Sequence, residues 1–166
     1  MDKIDYKIID NFLPKEEFER LSNIVMSNEF AWYWQSKINI EHTSEVDYTS
    51  YFTHVCFNHN SINSPTFYEF KNILDILKVK AVIRLKINCY PNTGKLDVHE
   101  PHSDEPYPHK GFILYFNTCN GHTILGDGTK IESIANRALL FDPSIPHQST
   151  NATDVKARFN INMNYF

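Results

Sequence analysis

In the segment Val98-His99-Glu100-Pro101-His102-Ser103-Asp104 a histidine is followed two places later by an aspartate. Residues two apart on an extended strand project from one face, so His102 and Asp104 can bind one ion together. A third ligand is available at His147, just after Pro146 and beyond the apolar run Ala138 to Phe141. Two imidazoles and a carboxylate on one side of a metal form the facial triad of non-heme Fe(II), which keeps positions open for oxygen and a chelating co-substrate; zinc is more often closed by four ligands. Alone the triplet is a weak signal, because 8 histidines in a chain of this composition give about half a chance match. Arg158 supplies context, since its planar fork can hold the distal carboxylate of a dicarboxylate bidentately, as a lysine cannot.

These side chains need strands to aim them. From Ala157 to Tyr165 the apolar residues Ala157, Phe159, Ile161, Met163 and Tyr165 alternate with Arg158, Asn160, Asn162 and Asn164. A polar face this regular is costly to bury without a use, and Asn160 and Asn162 suit an interior that holds an ionic co-substrate. From Ala81 to Tyr90, likewise, Ala81, Ile83, Leu85, Ile87 and Cys89 face one way and Val82, Arg84, Lys86, Asn88 and Tyr90 the other. The cations Lys78, Lys80, Arg84 and Lys86 then read as a solvated strand face.

Further strands are expected at Gly111 to Asn117, His122 to Leu125, Lys130 to Ile134 and Ala138 to Phe141, with turns at Gly126-Asp127-Gly128 and Asp142-Pro143-Ser144. Strands so evenly spaced, with no crossover helices, indicate an antiparallel sandwich or jelly roll packed on two helices. Pro14 opens the first helix, whose Phe18, Leu21, Ile24 and Val25 share a face; Ser64 caps the second before Pro65, with Phe67, Phe70, Ile73, Leu74 and Leu77 inward. Between them Trp32, Tyr33, Trp34, Tyr48, Tyr51, Phe52 and Phe57 have no helical period and read as strands and loops with aromatic packing.

The chain of 166 residues is 42% apolar and 22% charged, and no linker, repeat or biased tract divides it. It is expected to be one domain over residues 1–166, with helical support over 1–80 and the jelly-roll core over 81–166. A chain this long can bury about 68–70% of its unfolded surface, so its core should stand without a metal staple. The net charge of −4 removes the sequence-independent attraction for nucleic acid. Cys56, Cys89 and Cys119 are odd in number and in no Cys-x-x-Cys array, which fits a reducing cytoplasm. With no apolar run of membrane length and no basic, apolar leader, the protein is expected to be soluble and unsecreted, with no membrane partner.

From about Asn88 to the C-terminus the residues resemble the Fe(II)/2-oxoglutarate-dependent dioxygenases, in particular the prolyl 4-hydroxylase-like branch with its compact phage and bacterial members. Cys89-Tyr90-Pro91 stands where that branch has a co-substrate-binding tyrosine. Ile113-Leu114-Tyr115-Phe116-Asn117 matches the setting of a second one. Gly121-His122-Thr123 resembles the family's Gly-x-Thr, Arg137-Ala138-Leu139-Leu140-Phe141 its strand before the distal histidine, and Ile9-Asp10-Asn11-Phe12-Leu13-Pro14 its lead-in to the first helix. The resemblance implies a mainly β fold, a double-stranded β-helix (cupin-like jelly roll) with two supporting helices. His102, Asp104 and His147 would hold Fe(II), Arg158 would bind the far carboxylate of 2-oxoglutarate, and Tyr90 and Tyr115 would donate hydrogen bonds to it. It also implies O2 as oxidant, ascorbate as an accessory reductant, and hydroxylation of a C–H bond coupled to formation of succinate and CO2.

Peptidyl proline is the leading substrate by resemblance, and a free amino acid or other small metabolite the next. The groove is expected to be walled by Trp32, Trp34, Tyr51 and the loop from Glu105 to Lys110. A non-oxidative cupin-like protein would not need Arg158, Tyr90 and Tyr115 together, and an interaction module would need none of them. Nucleobase demethylases of the superfamily carry a second arginine where this chain has Asn164, so nucleic acid is disfavoured. His99 falls on the opposite strand face from His102, and Pro101 forbids the helix that would align them. His109 and His122 read as surface groups or neighbours of the site, and His42, His54 and His59 as exposed or structural.

Overall fold

The computed structural model describes residues 4–36 and 50–166, so His42 and Tyr48 lie outside the described residues. It is built from two antiparallel sheets and two helices. The strands are β1 (Tyr6–Ile9), β2 (Tyr33–Gln35), β3 (Tyr51–Asn58), β4 (Ser61–Ile62), β5 (Val82–Pro91), β6 (Lys110–Tyr115), β7 (His122–Leu125), β8 (Lys130–Glu132), β9 (Ala138–Phe141), β10 (His147–Ser149) and β11 (Ala157–Tyr165). The large sheet runs β1-β9-β6-β11-β5-β3-β2, with β4 paired to β3, and the small one runs β10-β7-β8. The two stay separate sheets, and among the described residues no barrel closes.

Helix α1 (Lys15–Val25) starts from Pro14, with Glu16 and Glu17 in its first turn, where the helix dipole favours negative charge. Its Leu21 and Val25 are fully buried, and Phe18 stacks on Phe116 at 6.3 Å. Ser64 does cap the next segment, accepting from the Thr66 N–H at 3.2 Å. That segment is a 3₁₀ turn at Pro65–Phe70 followed by helix α2 (Lys71–Leu77), which Lys78 ends in the left-handed conformation. One outer core joins Leu21, Val25, Phe70 and Ile73 to Leu85, Ile87, Phe112, Leu114, Ile161 and Met163 of the large sheet. On the other face Ile113, Tyr115, Leu139 and Phe141 meet Leu125 and Ile131 of the small sheet. The large sheet is therefore covered on both sides, and each fully buried Leu, Ile or Phe contributes about 1.5–3 kcal/mol.

Three expectations need correction. The first 80 residues are not only helical support, because β1, β2 and β3 are strands of the large sheet. The alternation of β5 is not strict: Val82 pairs with Tyr165 and Arg84 with Asn164, leaving Ile83 as an extra residue, and it is Val82 that packs on the outer core. Such a bulge re-aims a strand end without leaving a residue-type signal. The third concerns Lys78, Lys80, Arg84 and Lys86, which are not one solvated strip. Lys78 and Lys80 are exposed beside the end of α2, whereas Arg84 and Lys86 stand in register with the buried Asn164 and Asn162 on the inner face.

Candidate metal and co-substrate site

The segment 98–104 runs alongside β10. His102 and His147 form an antiparallel bridge, each N–H donating to the other's carbonyl, at 3.0 and 2.9 Å. This brings the two imidazoles to 4.6 Å between centroids. The Asp104 N–H donates to Pro143 O at 2.9 Å and sets the carboxylate beside them, with Oδ1 3.8 Å from His102 Nε2. One donor atom from each of His102, Asp104 and His147 lies within 4.8 Å of the others.

The tautomers follow from the backbone. His102 Nδ1 lies 3.4 Å from Glu100 O and His147 Nδ1 3.1 Å from Ile145 O. A carbonyl can only accept, so Nδ1 carries the proton and Nε2 keeps its lone pair for a metal. Burial and the neighbouring His147 push His102 down to about 4, and burial lowers His147 too, so both rings are neutral at physiological pH. Burial alone would raise the Asp104 carboxyl, but Arg84, Lys86 and the two imidazoles hold it well below the usual carboxylate range. Its Oδ1 accepts from Arg84 Nη2 at 2.7 Å, while Oδ2 is buried without a partner. A carboxylate with an orphaned oxygen, close to two imidazole lone pairs, fits a divalent cation.

The second half of the site lies along β11. Arg158 is 0% exposed. Its Nη1 donates to Ser149 Oγ at 2.6 Å and to Thr150 O at 2.9 Å, and its Nη2 donates to Thr123 Oγ1 at 3.2 Å. All these partners are neutral, its Nε has none, and no carboxylate pairs with it among the described residues. The rings of Tyr90 and Tyr115 lie 5.6 and 5.3 Å from the guanidinium carbon, and the Tyr115 hydroxyl donates to Thr123 Oγ1 at 2.8 Å. Burial raises both phenols, so each stays a donor at neutral pH. Gly121 makes room for this arrangement: a Cβ there would sit 2.6 Å from Arg158 Cδ and would also strike Asn151 O. An unpaired buried cation is unfavourable by itself, and an incoming carboxylate would relieve it.

The interior thus carries cross-strand rows of polar groups, Tyr90 beside Arg158, Asn88 beside Asn160, Lys86 beside Asn162 and Arg84 beside Asn164. Asn160 Oδ1 accepts from Asn88 Nδ2 at 2.9 Å, and Asn162 Oδ1 is buried with no partner. All eight residues singled out in the sequence therefore face one interior. His99 does not join the triad; it is buried with its ring 5.1 Å from Tyr90. His54 is structural, bonded to Ala31 O and Ser64 Oγ, while His109 is buried rather than on the surface.

The aromatic groove is corrected in part. Tyr51 stacks on Tyr90 at 5.4 Å and belongs to the site. Trp32 packs on Phe159 in the outer core, and Trp34 pairs with Phe52, opposite Cys89, on the face turned away from the triad. Sequence reasoning missed Ser149, Arg84 and Lys86 as parts of the site. The parity of β5 was the available signal for the last two.

No protein-family model and no curated protein matches the sequence. Solved structures match the fold. A prolyl hydroxylase from Trichoplax adhaerens, in complex with a hypoxia inducible factor oxygen degradation domain peptide fragment, superposes with a TM-score of 0.67 at 19% identity, covering 97% of this chain and 83% of that one. An oxidoreductase of the 2OG-Fe(II) oxygenase family from Burkholderia pseudomallei gives 0.71 at 10% identity, covering 96% and 84%. A Pseudomonas putida prolyl-4-hydroxylase gives 0.64 at 11% identity, covering 98% and 92%. At such identities the likeness is one of fold. Among the described residues no helix is long and apolar enough to cross a membrane.

Proposed function

We propose that this chain is an Fe(II)- and 2-oxoglutarate-dependent oxygenase of the prolyl-hydroxylase type, hydroxylating a C–H bond of its substrate. The two sheets are then the major and minor sheets of a double-stranded β-helix. The observation that carries the reading is the pairing of two needs in one interior: a triad with an orphaned carboxylate oxygen, and a buried guanidinium without a counter-charge. A keto dicarboxylate answers both, chelating the metal at one end and neutralising Arg158 at the other.

When bound, the iron supplies oxygen activation, coupling oxidation of the substrate to conversion of 2-oxoglutarate into succinate and CO2. His102, Asp104 and His147 are the residues that would hold it. Arg158, fixed by Ser149, Thr150 and Thr123, takes the far carboxylate, and the faces of Tyr90 and Tyr115 exclude water from that ion pair. Asn88, Asn160 and Asn162 offer amides along the path between the two ends. A peptidyl proline is the substrate that the structural likeness supports, one such relative having been solved with a peptide bound. The test is an anaerobic titration with Fe(II) and 2-oxoglutarate, followed by the visible charge-transfer band of the chelate. The band should appear with 1:1 stoichiometry, and its absence with both components in excess would refute the reading.

A further inference from the structure

Arg158 is enough to anchor one dicarboxylate, yet the same interior holds two more cations. Arg84 and Lys86, two places apart on β5, stand in register with Asn164 and Asn162 of β11, and Arg84 bonds the candidate metal-ligating carboxylate at 2.7 Å. The Arg84 side chain is 21% exposed, so solvent reaches it, but its Nε is buried with no partner. Lys86 is half-buried and has no hydrogen-bond or ion-pair partner among the described residues. Asn164, 0% exposed, leaves both amide atoms unpartnered next to Arg84.

Charge counting shows what this excess requires. Among the described residues, Arg84, Lys86 and Arg158 against Asp104 leave two positive charges, and the imidazoles are neutral. An Fe(II) ion and a 2-oxoglutarate dianion cancel each other, so the loaded site keeps both charges on the Arg84 and Lys86 side. Burial and the Arg84 charge push the Lys86 ammonium down to about 8 against the opposing pull of Asp104, the direction expected of a buried cation whose nearest charge is another cation. A neutral substrate would leave Lys86 partly desolvated and without an ion-pair partner among the described residues, and Arg84 with only the carboxylate it would share with the metal, which is unfavourable.

We propose that the substrate carries a carboxylate, which Arg84 and Lys86 bind beside the metal, as the second anionic ligand of this site. The proposal rests on the oxygenase reading above and narrows its substrate class. Two sources share this chemistry: a free amino acid or small organic acid, and a peptide with an acidic residue beside the reacting one. Arg84 also touches Asp104, so substitution there disturbs metal binding, and Lys86 is the cleaner probe.

The experiment uses the full chain loaded with Mn(II) and saturating 2-oxoglutarate, which does not turn over, and reads binding from paramagnetic relaxation of ligand protons. Matched pairs are acetate and acetamide, proline and prolinamide, and a blocked proline peptide with Glu or Gln as the neighbouring residue. Acids should bind at least about tenfold more tightly than their amides, equivalent to ~1.4 kcal/mol. Preference in the proline pair alone points to a free acid, and preference in the peptide pair to an acidic peptide. Lys86→Met should abolish the preference and Lys86→Arg should keep it, with both variants checked for cooperative thermal unfolding. 2-Oxoglutarate affinity should fall far less in Lys86→Met than in Arg158→Lys.

Equal affinities within every pair, including no binding by either member, would overturn the proposal. So would a preference that survives Lys86→Met, or a loss of 2-oxoglutarate affinity in that variant as large as in Arg158→Lys, which would give these cations to the co-substrate. Tighter binding of a single-stranded oligonucleotide than of any acid would assign them to phosphates instead. If the Mn(II)-loaded protein binds no 2-oxoglutarate, the oxygenase reading itself has failed.

Discussion

Arg158→Lys keeps the charge of the proposed co-substrate anchor and removes its fork. In the wild type Nη1 and Nη2 are each held by hydroxyl or carbonyl oxygens, between two tyrosine rings. An ammonium on a flexible stem cannot span Ser149 and Thr123 while still facing a carboxylate with two donors. The expected loss is one charge-assisted hydrogen bond, about 1.5–3 kcal/mol, or about 10- to 150-fold in the dissociation constant. Ligand stabilisation follows the logarithm of saturation, so at a hundred times the wild-type Kd the wild type gains about 2.7 kcal/mol and the variant about 0.3–1.4 kcal/mol. In a domain of 166 residues each kcal/mol moves Tm by about 2–4 °C. Scanning calorimetry of the Mn(II)-loaded proteins should therefore show 2-oxoglutarate raising Tm by about 5–11 °C in the wild type and about 1–6 °C in the variant. A variant shift equal to that of the wild type would refute the assignment and move the anchor to Arg84 and Lys86.

His102→Ala, Asp104→Ala and His147→Ala should each abolish Mn(II) binding in an electron paramagnetic resonance titration with the far-UV spectrum unchanged, because none belongs to either apolar core. His99→Ala removes a ring that packs on Tyr90 and should keep the metal; the reverse pattern would make the ligand assignment wrong. Gly121→Ala drives a methyl group into the Arg158 stem, so 2-oxoglutarate affinity should fall while Mn(II) affinity holds, as titration of each in turn would show. The metal-free protein should lose stability as pH falls from about 6.5 towards about 4, since the unfolded chain protonates His102 near 6.5 and the folded one only near 4. His147 and His122 are lowered too and act in the same direction. Urea midpoints across that range should decline less steeply in His102→Gln, and a flat wild-type profile would contradict the buried neutral imidazoles.

What could be read from the chain was whatever strand periodicity encodes. The two-residue spacing of His102 and Asp104 and the parity of Arg158, Asn160 and Asn162 survive folding because side-chain direction along a strand is local. What parity does not give is which polar face meets water. The polar face of β5 looked like a solvated strip because an amphipathic strand usually has one wet side. Here His99 and Asp104 of the 98–104 segment pack on that side, against Tyr90 and Arg84, and Arg84 ends up bonded to a residue of the triad. Strand β10 is only three residues long and carries too little pattern to be seen, yet it aims His147 and supplies Ser149 to Arg158. Trp34 was placed in the groove on aromatic character alone, and its pairing with Phe52 put it on the other face.

The position of β11 bears on how this chain is made. β5 and β6 follow one another in sequence but are not neighbours; β11 lies between them, paired with both. Until it arrives, β3 with β5 and β6 with β9 are half-sheets whose bare edges can capture other chains. A ribosome therefore carries two unfinished, adhesive fragments until residues near 165 clear the exit tunnel, and completion must be a late, long-range step that profits from chaperone cover. Arg158 arrives on that same strand. A nascent chain halted before it carries the triad residues without the guanidinium proposed to hold the co-substrate, so both halves of the proposed site come together only in the finished sheet.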